Sequence, residues 1–157
     1  MAEKKKAPKK IEITNRRASF EYHFEQEFEA GIVLTGTEIK SIRAGEANLS
    51  DSYCLFNRGV LSIHSMYIAE YKHGNQQNHE TRRTRTLLLR KPELRKLEKR
   101  VKERGMTIIP HKLYLTDRGF AKLKIVLATG KKAYDKRESI KEKDNKRDQD
   151  RRNSSMD

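Results

Sequence analysis

The chain has one cysteine, no tryptophan and three prolines in 157 residues. Cys54 has no partner for an internal disulfide, and one Cys with five scattered His makes no zinc framework. A reducing compartment, the cytoplasm, is expected. No apolar run approaches the roughly 18 residues that a membrane-spanning helix needs. The opening MAEKKKAPKK is basic with no apolar segment behind it, so it is not expected to act as a secretory signal. No G-x-x-x-x-G-K-[ST] phosphate loop and no G-x-S-x-G nucleophile elbow occurs. His73, His79 and His111 lack an i,i+4 partner and a neighbouring Cys. Glu25, Glu27 and Glu29 read as a solvated strand face rather than an acid–base pair. His64 reads as a structural strand residue. Catalysis has no positive support, so the expectation is a protein that is not an enzyme and uses no cofactor or metal.

Basic charge is what the chain has in excess. Its 36 Lys and Arg against 22 Asp and Glu leave +14. Residues 1–10 hold five lysines and one glutamate, net +4. Residues 11–130 hold 21 basic and 14 acidic residues, net +7, and residues 131–157 hold 10 and 7, net +3. The last segment offers only Ala133, Tyr134, Ile140 and Met156 as hydrophobes, too few to offset the entropy of ordering it. The expected organisation is a disordered basic arm (1–10), a folded domain (11–130) and a tail (131–157) disordered alone. A polyanionic partner, most simply nucleic acid, fits the charge.

Within the folded part, Phe28, Ala30, Ile32 and Leu34 alternate with Glu29, Gly31 and Val33, a half-buried strand with Glu29 outward. The Glu-rich 25–29 is also compatible with helix. Residues 37–44 predict a short helix capped by Thr37 and stopped by Gly45. Strand-like runs at 52–56 and 60–68 flank Asn57-Arg58-Gly59, a hairpin signal. Residues 71–83 read as loop and 84–90 as strand. Pro92 opens a helix to Arg104 with Leu94, Leu97 and Val101 as its apolar stripe, and Gly105 ends it. Strands at 106–116 and 120–129 turn at Asp117-Arg118-Gly119. About six antiparallel strands with accessory helices are best accommodated by a mainly β (α+β) fold, a small OB-type barrel that hides its edges.

The basic residues cluster. Arg82, Arg83, Arg85 and Arg90 fall within nine positions, and Arg both forks phosphate and stacks on bases, so RNA contact is expected of all four. Alternation in TRTLLLR sends Leu87 and Leu89 to one face and Leu88 to the other, where an apolar side chain suits a base or ribose. In FAKLKIVLA, Leu123, Ile125 and Leu127 face in while Lys122 and Lys124 face out toward phosphates. Tyr134 is the lone aromatic of the tail, among Lys131, Lys132, Lys136 and Arg137, an arrangement suited to stacking on a base. The tail has no Gly or Pro after Gly130. Glu142–Lys146 and Asp148–Arg152 stand at helical spacing, as in a segment that folds on RNA.

FEAGI (28–32), GTEIKSIRAG (36–45), NLSDSY (48–53), TRTLLLR (84–90), KLYL (112–115) and GKKAYDKR (130–137) occur in this order. Together they resemble the SsrA-binding protein (small protein B) family across about residues 15–140. The resemblance implies an OB-fold, a non-enzymatic role in trans-translation, and binding of transfer-messenger RNA (tmRNA) for delivery to stalled ribosomes. It implies RNA contacts by Glu29, Leu88 and Lys122. It further implies that Lys131, Lys132, Tyr134, Asp135, Lys136 and Arg137 enter the small-subunit decoding region and message channel, the tail turning helical there. Some members have His where this chain has Tyr134. Elongation factor Tu and alanyl-tRNA synthetase would be partners through the shared RNA. Two other readings remain at this stage. A general ribosome-associated OB module explains charge and barrel but not the GKKAYDKR tail. A nuclease would need clustered acidic ligands.

Overall fold

The computed structural model describes residues 10–155; the arm at 1–9 and the last two residues lie outside the described part. In chain order the elements are β1 (Glu12–Thr14), α1 (Arg16–Glu21), β2 (Tyr22–Ile32), α2 (Gly36–Arg43), β3 (Ala47–Asn48), β4 (Tyr53–Asn57) and β5 (Val60–His64). Then follow β6 (Tyr67–Ile68), one 3-10 turn at Asn75–Gln77, β7 (Arg85–Leu88), α3 (Lys91–Arg104), β8 (Thr107–Leu115), β9 (Ala121–Gly130) and α4 (Ala133–Ser154).

Seven strands form one antiparallel sheet in the order β1-β8-β4-β5-β7-β2-β9, and β8 pairs with β9 as well. Three long strands make this possible. β2 pairs with β9 over most of its length and with β7 only at Gly31 and Ile32. β8 pairs with β9, with β1 and, at Ile108, with β4. Register shifts at Phe24/Gln26 and at Pro110/Lys112 bend β2 and β8. At the second, proline has no N–H to give the ladder, so an irregularity there wastes nothing. β3 and β6 form a separate two-stranded ladder.

The single expected strand at 60–68 is two strands. Ser65 takes a left-handed φ of 59°, which breaks the alternation. Leu61 and Ile63 point into the core before the break, and Met66 and Ile68 point into it after. Thus His64 and Met66 do not share a face, contrary to simple alternation. The β4–β5 turn is as expected: Asn57 pairs with Val60 across two residues, Arg58 and Gly59, both at positive φ. That is the twist-compatible hairpin turn, and glycine takes its second place without strain.

The main core joins the inward faces of the strands, with Leu61, Ile63, Leu87, Ile108, Leu113, Leu123, Ile125 and Leu127 buried. α2 contributes Ile42 and α3 contributes Leu97, with Leu94 and Val101 packed beside it. Lys91 rather than Pro92 is the first residue of α3, and Gly105 ends it in the left-handed conformation. A smaller cluster of Ala18, Ile109, Val126 and Ala128 lies where α1 covers the opposite side of β8 and β9. Helix α2 starts one residue earlier than expected, with Thr35 as its cap. The Thr35 N–H donates to Glu38 Oε1 at 3.0 Å. Thr37 instead shares a 2.9 Å hydrogen bond with His79 Nδ1. His79 Nε2 lies 3.0 Å from the Ile68 carbonyl, which can only accept, so Nε2 donates there and the ring is a buried structural tie.

Candidate nucleic-acid interface

Cross-strand pairing places side chains of paired residues on one face. Leu88 of β7 pairs with Gly31 of β2, Gly31 with Lys122 of β9, and Lys122 with Tyr114 of β8. One step along, Glu29 pairs with Lys124, and Lys124 with Lys112. These two rows form a continuous outward surface over four strands. Glu29 is exposed, Lys122 and Lys124 are half-buried, and Leu88 leaves 57% of its surface to solvent. The bare Gly31 between Leu88 and Lys122 is a shallow floor: a Cβ there would lie 3.4 Å from Leu88 Cβ.

The charges on this face are partly spoken for. Lys124 Nζ is 3.6 Å from Glu27 Oε1 and stands 5.8 Å from the centre of the Tyr114 ring. Lys112 Nζ is 3.2 Å from Glu12 Oε1. Among the described residues Lys122 has no ion-pair partner, which leaves its charge available to a phosphate. Burial, the neighbouring Glu29 carboxylate acting through a hydrogen bond and its charge, and Glu27 push the Tyr114 hydroxyl up to about 12. Tyr114 and Lys112 were not singled out from the sequence as site residues. The alternation in KLYL, with Leu113 buried and Tyr114 on the other face, is the signal that finds them.

The arginine cluster divides by depth. Arg82 is exposed; it donates to the Ser65 carbonyl at 3.1 Å and lies over the Tyr67 ring. Arg90 is exposed at the N-terminal boundary of α3. Arg83 is half-buried and donates to Glu38 Oε1 at 2.6 Å and to the Val33 carbonyl at 3.2 Å. Arg85 corrects the sequence expectation of RNA contact. Its side chain is 0% exposed, its Nε donates to Glu38 Oε2, and its Nη1 donates to the Met66 carbonyl at 2.7 Å. A guanidinium sealed in the interior and already hydrogen-bonded has no edge left for a ligand. Burial raises the Glu38 carboxyl, but hydrogen bonds from Thr35, Arg83 and Arg85 outweigh it and hold the group below its ordinary range.

The tail leaves from the other end of the sheet. Lys122 is near the start of β9 and Gly130 is its last residue, about 26 Å further along an extended strand. The Lys131 N–H donates to the Glu21 carbonyl at 2.8 Å, and Lys131 Nζ donates to Ser139 Oγ at 2.9 Å. Helix α4 follows, with Lys143 over the Phe20 ring of α1. Lys132 and Arg137 are exposed and Lys136 is half-buried; the side chains of Tyr134 and Asp135 lie outside the described residues. From Ile140 to Ser155 every side chain is exposed. Among the described residues no three His, Cys, Asp or Glu converge to hold a metal ion, and no helix is long and apolar enough to cross a membrane.

An antiparallel sheet that presents lysines, a carboxylate and one exposed leucine on a single face, under an excess of basic charge, has the makings of a nucleic-acid-binding module. The family described as SmpB protein matches residues 12–155, and the chain belongs to it. The chain is 57% identical over 144 residues to the SsrA-binding protein of Phocaeicola vulgatus, covering 92% of this chain and 96% of the relative. It is 48% identical over 139 residues to the SsrA-binding protein of Moorella thermoacetica, covering 88% and 90%. It also resembles, with TM-score 0.67 and 43% identity over 85% of this chain and 95% of the other, a solved chain from work described as "tmRNA-SmpB: a journey to the center of the bacterial ribosome".

Proposed function

We propose that this protein binds transfer-messenger RNA and delivers it to stalled ribosomes for trans-translation. Membership of the SmpB family supports the function, and the continuous Leu88–Gly31–Lys122 row is the observation on this chain that carries it. On this reading Glu29, Leu88, Lys122 and Lys124 grip an irregular region of the RNA, with Arg82 and Arg90 adding phosphate contacts. Irregular RNA presents unstacked bases and 2′-hydroxyls, which a carboxylate and a leucine can meet; the lysines supply affinity without reading sequence. The protein acts by binding, not by catalysis, in the cytoplasm, and meets elongation factor Tu and alanyl-tRNA synthetase through the RNA.

The sheet is best taken as an OB-type barrel. The pairings β8–β4–β5–β7–β2–β9 lead back to β8, and the inward residues of all six strands share one core. Residues 11–130 form that RNA-binding unit, 1–10 a basic arm and 131–157 a ribosome-directed tail. The 22 residues of α4 make a rod about 33 Å long. Such a rod can probe a message channel that is empty only on a stalled ribosome, with Lys131, Lys132, Tyr134, Asp135, Lys136 and Arg137 at its base near the decoding region. Ordering of a tail with so few apolar contacts would be completed by the channel itself.

The test is to recover the tagged full chain from a bacterial lysate and sequence the RNA that comes with it. One dominant tmRNA species is the expected result. A broad profile across ribosomal RNA would replace this reading with that of a general ribosome-associated module.

A further inference from the structure

Helix α3 carries its charge in an arrangement that works against the helix itself. Its 14 residues hold seven basic and three acidic side chains, a net +4 against +7 for the whole of residues 11–130. The cations stand in two like-charge ladders at i,i+4 spacing, Lys91–Arg95–Lys99 and Lys96–Arg100–Arg104. Like charges four apart on a helix repel, and a surface built only for solubility would interleave the signs. Lys91 adds a second conflict, a cation in the first turn, at the positive end of the helix dipole. Among the described residues neither ladder has an ion-pair partner; the helix pairs only Lys102, with Glu98 at 2.9 Å. Lys91, Arg95 and Lys99 are all exposed and follow one another about 6 Å apart along the axis. The other side of the helix is committed to the core through Leu94, Leu97 and Val101. A bound polyanion relieves both conflicts.

The position and composition of α3 say which polyanion. The helix begins three residues after Leu88, and Pro92, Glu93 and Lys96 line an open groove with Gln26, Glu27 and Glu29 of β2. The three carboxylates hold phosphate out of that groove, so the exposed outer ladder is where an RNA backbone can lie. α3 has no aromatic ring to stack on a base and no Ser, Thr, Asn or Gln to read a base edge. It can only follow phosphates. Paired RNA, whose narrow deep groove hides its base edges, is recognised in that way. We propose that the exposed ladder Lys91–Arg95–Lys99 is a phosphate rail for a base-paired stem of the bound RNA, next to the irregular region held on the sheet. The inference rests on the reading of this chain as a binder of transfer-messenger RNA and adds a second contact surface to it.

The experiment measures the affinity of the full chain for tmRNA against salt. The unaltered protein is compared with Arg95→Gln/Lys99→Gln and with a charge-matched control, Arg16→Gln/Lys72→Gln, whose side chains are exposed elsewhere. Glutamine keeps helix propensity, and removing like-charge repulsion should leave the melting temperature of the ladder variant no lower than that of the unaltered protein. Loss of two phosphate contacts should lower the salt slope by about two, so that between about 50 and 200 mM salt the unaltered protein loses about tenfold more affinity than the ladder variant. The control should keep the slope of the unaltered protein. Exchanging base pairs within the stems, with pairing preserved, should leave every value unchanged, because the rail reads no sequence. A slope equal to that of the unaltered protein, or an equal drop in the control, would overturn the rail while the function stands. Normal tmRNA binding with weakened binding to ribosomes would give the ladder to ribosomal RNA and overturn it as well. If the unaltered protein fails to bind tmRNA at all, the functional reading fails and the rail with it.

Discussion

Arg85 of β7 and Glu38 of α2 are both withdrawn completely from solvent and joined through Arg85 Nε and Glu38 Oε2. The same carboxylate accepts from Arg83 and from the Thr35 N–H. One side chain therefore ties the start of α2, the loop ahead of β7 and β7 itself. Since β7 carries Leu88, the ion pair sets the strand from which the proposed RNA face is built.

Removing either partner should destabilise the protein. Glu38→Ala leaves Arg85 buried without its carboxylate and should cost about 3–5 kcal/mol, seen as a lower denaturant midpoint, whereas Arg85→Ala leaves Glu38 still paired with Arg83 and should cost less. A surface role for Arg85 would instead predict a normal midpoint with weakened RNA binding.

Acid should act on the same group. The folded pKa of Glu38 lies below its unfolded value, so its contribution to stability is fully present above the ordinary carboxylate value of 4.5 and is lost as pH falls through the lowered folded value. Stability measured against pH should fall less steeply for Glu38→Gln than for the unaltered protein below about pH 4.5. Parallel curves would show that Glu38 does not titrate with unfolding.

The RNA face should be separable from the fold. Leu88→Ala and Lys122→Ala change outward side chains and should leave melting within about 0.5 kcal/mol. Both should weaken RNA binding, and Lys122→Ala should lower the salt slope by about one. Binding with unaltered affinity and slope would remove Lys122 from the interface. The core behaves oppositely: Leu97→Ala and Leu123→Ala should each cost about 2–5 kcal/mol.

Deleting 131–157 should spare the sheet, whose core draws on no described side chain of that stretch, and should spare most RNA affinity. Tagging of stalled nascent chains should be lost. In the free protein, amides from Ile140 to Ser155 should exchange rapidly, since no packed face protects that stretch. Tagging at the normal rate without the tail would overturn its role as a channel sensor, and a collapse of RNA affinity would move the tail to the RNA-binding surface.

Cys54 should be inert. It is buried, and burial raises its thiol well above the ordinary range. A thiol reagent should label it only on unfolding. Rapid labelling of native protein would mean that the β4–β8 region opens locally.

Much of this architecture is local in origin, and local features are what a sequence displays. Period-two alternation set the inward faces of β2 and β9, and with them the outward positions of Glu29, Lys122 and Lys124. Pro92, Gly105 and Arg58-Gly59 marked α3 and the hairpin because each residue's backbone preference acts within a few positions. Alternation failed at Ser65, where one left-handed residue moved Met66 and Ile68 back into the core; nothing in a serine announces that φ. Depth failed at Arg85. Its inward direction follows from the alternation that buries Leu87, but a buried arginine is tolerable only beside a carboxylate 47 positions earlier in the chain. The juxtaposition of Leu88, Gly31, Lys122 and Tyr114 is likewise a matter of register between strands far apart in sequence. Residue type and spacing determined which side chains face outward. Only the tertiary pairing decided which of them are neighbours and which charge is sealed inside, because those outcomes depend on contacts that no local preference encodes.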